Sequence, residues 1–366
     1  MFKVLVGVIF LGIVSFYYGM KEDSNSIKIG FLGGLSGKYS NLGHSLLDGM
    51  TLAFEEENYK INGKEIEIIS KDDRQKTTFV KLAMEEFKKE EVSLILGSGT
   101  SSMTKVALES IDESYNPILI SASASSSLFS KKDDNFFRTQ VSQSIESFEK
   151  LSKHLIENKI KNIYTIYDSK NKAYSESYAN NFEKSFVLHG GNPFVSVKEI
   201  SKDFSFIFND IKEKKELDAV IIIANTIDTA KLVQYLRING LEKLIIGSSW
   251  SKSSELLEDG GKYVENMLFL TSYNNSSQEK KYLDFVRKYE EKYKTIPSVF
   301  ASQAYETAKI IIKALKHNED LNKFKDTILT IKSFEGLQGT IEFDEYGDIK
   351  RDYILMTIKN GRYEPI

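Results

Sequence analysis

The sequence predicts an α/β protein built from two doubly wound, Rossmann-like lobes. The chain has 366 residues, more than one hydrophobic core usually serves. Short branched runs such as Leu94–Leu96, Ile118–Ile120 and Ala219–Ile223 are bounded by turn residues, as buried parallel strands are. Helix-length amphipathic stretches alternate with them, which is the pattern of βα units rather than of an antiparallel barrel.

Hydrophobic residues at 41% and aromatic residues at 12% suffice for folded cores. Lys and Arg total 49 against 52 Asp and Glu, a net charge of −3 with the signs interspersed. No basic patch for nucleic acid emerges from that balance. There is no cysteine, which excludes disulfides, thiolate metal sites, cysteine nucleophiles and a lipid-modified N-terminal cysteine. The histidines at 44, 154, 189 and 317 lack metal-ligand spacing, and neither HExxH nor GxSxG occurs. The sequence calls for no cofactor.

Met1-Phe-Lys3 and the apolar run Val4–Met20, followed by polar residues 21–26, read as an export signal. Ser15-Phe-Tyr-Tyr-Gly19 lacks the small-x-small cleavage pattern, so an uncleaved anchor over residues 1–26 is the second reading. Either way the expected location is periplasmic or extracytoplasmic, with the membrane met only through this segment. Ile27–Leu32 is the opening strand, and the loop Gly33–Gly43 precedes a helix over Ser45–Glu57. Gly37-Lys38 is no phosphate loop, because Leu32 stands where its first glycine belongs and Tyr39 where Ser or Thr does. Lys64–Ser70 and Thr77–Glu90 form the next strand and helix.

The informative stretch is Leu94 to Phe129. It reads as strand, polar turn, helix over 103–114, strand, and a second polar turn, with Met103, Val106, Ala107 and Ile111 covering the sheet. Parallel strands open their following turns on the same edge. Thr100, Ser101 and Ser102 are therefore expected beside Ser123, Ala124, Ser125 and Ser126, with Tyr39 to Leu42 as a wall over them. Unpaired N–H groups at the start of a helix suit a carboxylate. Serine also caps helices for local reasons, so neither cluster alone defines a site. Gly97-Ser-Gly-Thr-Ser-Ser102 departs from a dinucleotide fingerprint at its last position.

Beyond Thr139 the alternation continues: helices over 145–158, 173–189 and 229–239, strands over 163–167, 194–200, 219–223 and 244–246. These form the second lobe. Helices over 278–292 and 302–317 return to the first, and strands over 340–343 and 353–359 end the chain.

IKIGFLGGLSGKYSNLG, the aspartates after the second strand, LGSGTSS and ISASASSSLF resemble the branched-chain amino-acid binding proteins, the type I periplasmic substrate-binding family of ABC importers. Phe137-Arg-Thr139, Tyr167-Asp168 with Tyr174, and FEGLQGTIEFDEYGD at 334–348 extend the resemblance from about residue 27 to the C-terminus. It implies three interlobe crossings acting as a hinge, the last near Glu335–Gly339. The lobes then comprise residues 27–140 with 272–335, and 141–271 with 336–366. It also implies that Ser101 and Ser125, with Thr100, Ser123 and Ala124 as backbone neighbours, hold a ligand carboxylate. Tyr174 would meet the ligand from the second lobe, and Asn225 would face the cleft after its strand. Leu42 stands where an aromatic wall residue is common.

One departure matters. Where the family has a carboxylate for the ligand ammonium, this chain has Ser248, Ser249 and Trp250. A buried ammonium without a counter-charge is costly. Either Glu306 or Asp228 substitutes, or the ligand is no α-amino acid and Trp250 stacks on it. The expected function is capture of an amino acid or organic acid for delivery to the membrane subunits of an ABC importer. The alternatives are a sensory module coupled to a receptor and, less favoured, an enzyme on the same scaffold. The serines lack a base or metal to work with, so the expectation is no enzyme.

Overall fold

The computed structural model describes residues 26–200 and 203–366. The export-signal reading falls on residues outside that range. Among the described residues no helix is long and apolar enough to cross a membrane.

The first lobe is organised on β1 (Ser26–Gly33), which pairs in parallel with β3 (Lys64–Asp72) on one side and β4 (Leu94–Gly97) on the other. β5 (Ile118–Ser121) and β6 (Phe136–Arg138) continue the sheet in parallel, while β2 (Lys60–Ile61) pairs antiparallel on the far edge. Side chains alternate across a strand, and both faces here are buried. Ile29, Phe31, Leu94, Leu96 and Ile120 join one apolar cluster, and Leu32, Ile95 and Leu119 join another behind the sheet. The front cluster is covered by α1 (Ser40–Glu55), α9 (Lys280–Tyr293) and α10 (Val299–His317), and α1 and α10 approach so closely that a Cβ on Gly49 would stand 2.0 Å from the Ala301 carbonyl oxygen. The rear cluster is covered by α2 (Thr77–Lys89) and α3 (Ser101–Leu108).

α3 starts two residues before the expected position and ends six earlier. Its start is fixed by Thr100, whose Oγ1 accepts the Met103 N–H at 3.4 Å, a cap worth about 1 kcal/mol. Its end is fixed by the Asp112 carboxylate, which accepts the N–H groups of Ser114 and Tyr115 and turns the chain toward β5.

The second lobe has the sheet order β15-β14-β11-β10-β9-β7-β8. Its parallel strands are β7 (Ile163–Tyr167), β8 (Ser196–Glu199), β9 (Ala219–Ile223), β10 (Leu244–Gly247) and β11 (Leu268–Thr271). The edge is completed antiparallel by the final hairpin, β14 (Ile354–Lys359) and β15 (Arg362–Pro365). Helices α4 (Glu149–Glu157) and α5 (Lys172–Leu188) cover one face. The other is covered by α6 (Phe204–Glu213), α7 (Thr226–Ile238) and α8 (Ser254–Gly260).

Three crossings join the lobes, but the third lies further on than the sequence reading placed it. The hairpin β12 (Ser333–Glu335) and β13 (Thr340–Glu342) lies within the first lobe, because Phe334, Ile341, Phe343 and Ile349 pack into that lobe's front cluster. The chain therefore crosses after Ile349. Phe136–Arg138 is the sixth strand of the first sheet, and the first crossing begins after it. Buried polar contacts pin these passages. Arg138 donates to Asp348 at 2.6 Å and to the Ser126 carbonyl at 2.8 Å, and Arg351 pairs with Glu306 at 2.8 Å.

Candidate functional site

In each sheet the strand order reverses at one point, and the turns leaving the carboxyl edge there are available to a ligand. In the first lobe that point is β1–β4, and in the second it is β7–β9. Gly97 ends β4 with φ +145, and a Cβ there would stand 2.1 Å from the Leu32 carbonyl oxygen. Glycine alone lets the turn 98–102 leave the sheet so close to β1.

The two serine turns do meet. Ser101 Oγ accepts the Ser126 N–H at 3.3 Å, and Ser123 donates its hydroxyl to the Gly99 carbonyl at 2.9 Å. Together they line a cavity of about 300 Å³ between the lobes, walled by Leu42, Thr100, Ser101, Ser123 and Ser125 from the first lobe and by Asn171, Tyr174, Ser249 and Trp250 from the second. Phe300 and Gln140 complete it. Among the described residues the backbone N–H groups of Ser101 and Ser125 have no partner. The Ser101 N–H opens α3, where the helix dipole adds positive potential.

Several expected residues are placed otherwise. Ser102 does not line the cavity: its N–H donates to Asn171 Oδ1 at 3.1 Å and its hydroxyl accepts the Ala173 N–H at 3.1 Å, so it joins the lobes instead. Ala124 is fully buried in the rear cluster, and its N–H donates to Ser121 Oγ at 3.0 Å. Thr100 Oγ1 donates to Gln75 Oε1 at 3.0 Å besides capping α3, so it offers the cavity less than the two serines do.

Asn225 lines a separate outer cavity of about 450 Å³ with Lys38, Asn41 and Thr226. Its side chain caps α7 and donates to Asp168 Oδ2 at 3.1 Å and Asp228 Oδ2 at 2.9 Å. Leu42, Trp250 and Phe300 line both spaces and so divide them. Tyr39, part of the expected wall, stacks on Trp250 with ring centroids 5.7 Å apart and donates its hydroxyl to Asp168 Oδ2 at 2.8 Å. Burial beside Asp168 pushes the Tyr39 phenol up, so it stays a donor. Lys38 pairs with Asp228.

The Tyr174 ring meets Trp250 edge-on at 5.4 Å. Its buried hydroxyl has no partner among the described residues, though Ser248 and Ser249 lie beside it, and burial raises its pKa. No acid or base lines the serine cavity. Asp228 is held by Lys38 and Asn225. Glu306 accepts the Leu337 N–H at 2.6 Å and pairs with Arg351, with burial raising its pKa against that cation. Neither carboxylate reaches the cavity, so neither supplies the missing counter-charge. Phe300, Gln140 and Asn171 were not foreseen. Nothing local marks them, because they reach the cavity only through the crossings and lobe contact.

Two doubly wound lobes, three crossings and an interlobe cavity define the type I periplasmic binding protein fold. The family profile described as periplasmic binding protein matches residues 26–362, and the chain belongs to that family. Among solved structures it is similar to the branched-chain amino acid transporter substrate-binding protein LivJ of Streptococcus pneumoniae, in complex with isoleucine. That match has 26% identity and a TM-score of 0.83, covering 93% of this chain and 98% of that one. The leucine-binding protein LivK of Thermotoga maritima gives 24% identity and a TM-score of 0.82, covering 93% and 97%. A solute-binding protein of R. palustris in complex with benzoate gives 19% and 0.84, covering 93% and 95%. No curated protein sequence matches.

Proposed function

We propose that the chain is an extracytoplasmic solute-binding protein that traps a small carboxylate-bearing ligand between its lobes and presents the closed form to an ABC importer. The observation that carries this reading is the meeting of Ser101 and Ser125, each with an uncommitted N–H, opposite Tyr174, Ser249 and Trp250 of the other lobe. Hydroxyls and N–H groups of the serine turns hold the anion at the start of α3, where a helix favours negative charge. Closure then seals the gap. Gln75, Ser102 and Ser127 hydrogen-bond across it to Lys170, Asn171 and Ser177. Excluding water strengthens the bonds inside. No bond of the ligand is made or broken. Family membership and the transporter relatives support this role and a location outside the cytoplasm.

Calorimetry with small carboxylic acids tests it. Binding without turnover is expected. Ser101→Ala together with Ser125→Ala should weaken it by about 10- to 100-fold, since each removes a bond to a charged group. Thermal unfolding should fall by only a few degrees, because the buried Ser126 N–H loses its Oγ acceptor. An unaltered dissociation constant would remove the serine shelf from the mechanism, and chemical conversion of the bound compound would overturn the receptor reading.

A further inference from the structure

A second space adjoins the serine-lined cavity at Ser125. Ser125, Gln140, Ser249 and Phe300 also line a second chamber of about 460 Å³. Each crossing contributes to its walls: Val141 and Gln143 from the first, Ser272 from the second, Tyr353 from the third. Phe148, Leu270 and Val299 make much of its surface apolar.

Three of its lining residues carry a buried polar atom that no described group pairs. Gln143 Oε1, Tyr178 OH and Gln303 Oε1 have no hydrogen-bond partner among the described residues. Their residues are only 4%, 3% and 1% exposed. Buried polar groups are ordinarily paired, so three orphans on residues that line one chamber call for an occupant that pairs with them once the lobes admit it. A glutamine amide both donates and accepts, as a phenol does, so they suit a neutral hydroxyl or amide. No acid or base lines either chamber. An ammonium in this space would be desolvated without a partner.

Building on the carboxylate-binding reading above, we infer that the ligand is an elongated monocarboxylate without an ammonium group, whose far end carries a neutral hydroxyl or amide. The carboxylate sits on the serine turns and an apolar or aromatic middle passes Phe300 and Trp250. The far end meets Gln143, Tyr178 and Gln303, which select it.

The test compares 3-(4-hydroxyphenyl)propanoate, 3-phenylpropanoate, L-tyrosine and L-leucine by calorimetry at pH 7. The hydroxylated acid should bind at least about tenfold more tightly than each of the others, because each lacks its terminal hydroxyl or adds an unpaired charge. Gln303→Leu should bring the two propanoates within about threefold of each other, because the terminal hydroxyl no longer meets a partner there. Gln143→Leu, in the first crossing, gives an independent second readout should the Gln303 variant melt early. L-Tyrosine or L-leucine binding as tightly as the hydroxylated acid would overturn this inference and leave the solute-binding reading standing, as would indifference to the hydroxyl in the parent protein. Failure of every carboxylate to bind would overturn both.

Discussion

Trp250 of the second lobe lies face to face on Tyr39 of the first, with 9° between the ring planes. Each ring is about nine-tenths or more buried, and Trp250 is the only tryptophan in the chain. Moving the lobes apart would separate the two rings, so indole fluorescence should report closure. Titration with a bound carboxylate should shift the emission in one saturable step. Tyr39→Leu should abolish most of that shift and weaken binding about 2- to 10-fold, the range for an aromatic pair beyond its buried area. A shift that survives the substitution would mean that the indole reads something other than the stack.

Asp168 is the acceptor on which the mouth of the cleft converges. It takes hydrogen bonds from Tyr39 and Asn225 and lies 3.9 Å from the Lys38 ammonium, with its side chain 3% exposed. Asp168→Ala leaves the buried Tyr39 hydroxyl without its acceptor and Asn225 with Asp228 alone. Closure should become less favourable, and the dissociation constant should rise by about tenfold or more. The rise should appear mainly in the off-rate in stopped-flow measurements. An unchanged off-rate would show that the latch is decorative.

Asp73 makes stability depend on pH. It is 1% exposed, its Oδ1 accepts the Gln75 N–H at 2.7 Å, and its Oδ2 has no partner among the described residues. Burial pushes its carboxyl up to about 6. The folded state thus holds this proton more tightly than the unfolded chain does. The associated stability is complete below about pH 4 and is lost as pH rises through about 6, amounting to about 3 kcal/mol at most. Asp73→Asn keeps the acceptor and loses the charge. It should exceed the parent in denaturant midpoint at pH 8 and match it near pH 3.5. A gap of equal size at both pH values would remove Asp73 as its cause.

What could be read from the sequence was local. The branched runs, the hydroxyl turns at their ends and the helical spacing of Met103 and Ala107 placed both sheets and brought Ser101 beside Ser125 before any contact was known. Contacts over long separations were illegible. Ser102 is indistinguishable from Ser101 until Asn171 arrives from the other lobe to take its N–H. Ala124 sits in the right turn, yet Ser121 beneath it claims its donor. Gln143 and Gln303, separated by 160 positions, share a chamber only because the first crossing and α10 meet there. The last crossing was misplaced because FEGLQGTIEFDEYGD carries apolar alternation that fits either core. Only the partners of Phe334 and Phe343 decide which one.

The closing hairpin, β14 with β15, supplies an edge of the second sheet, while α10 covers a face of the first. Neither lobe is covered by one continuous stretch of chain: the first needs α10, which follows the parallel strands of the second, and the second needs the hairpin that follows α10. A chain made only as far as β11 therefore has two unfinished cores, and folding must bring together segments far apart in the sequence.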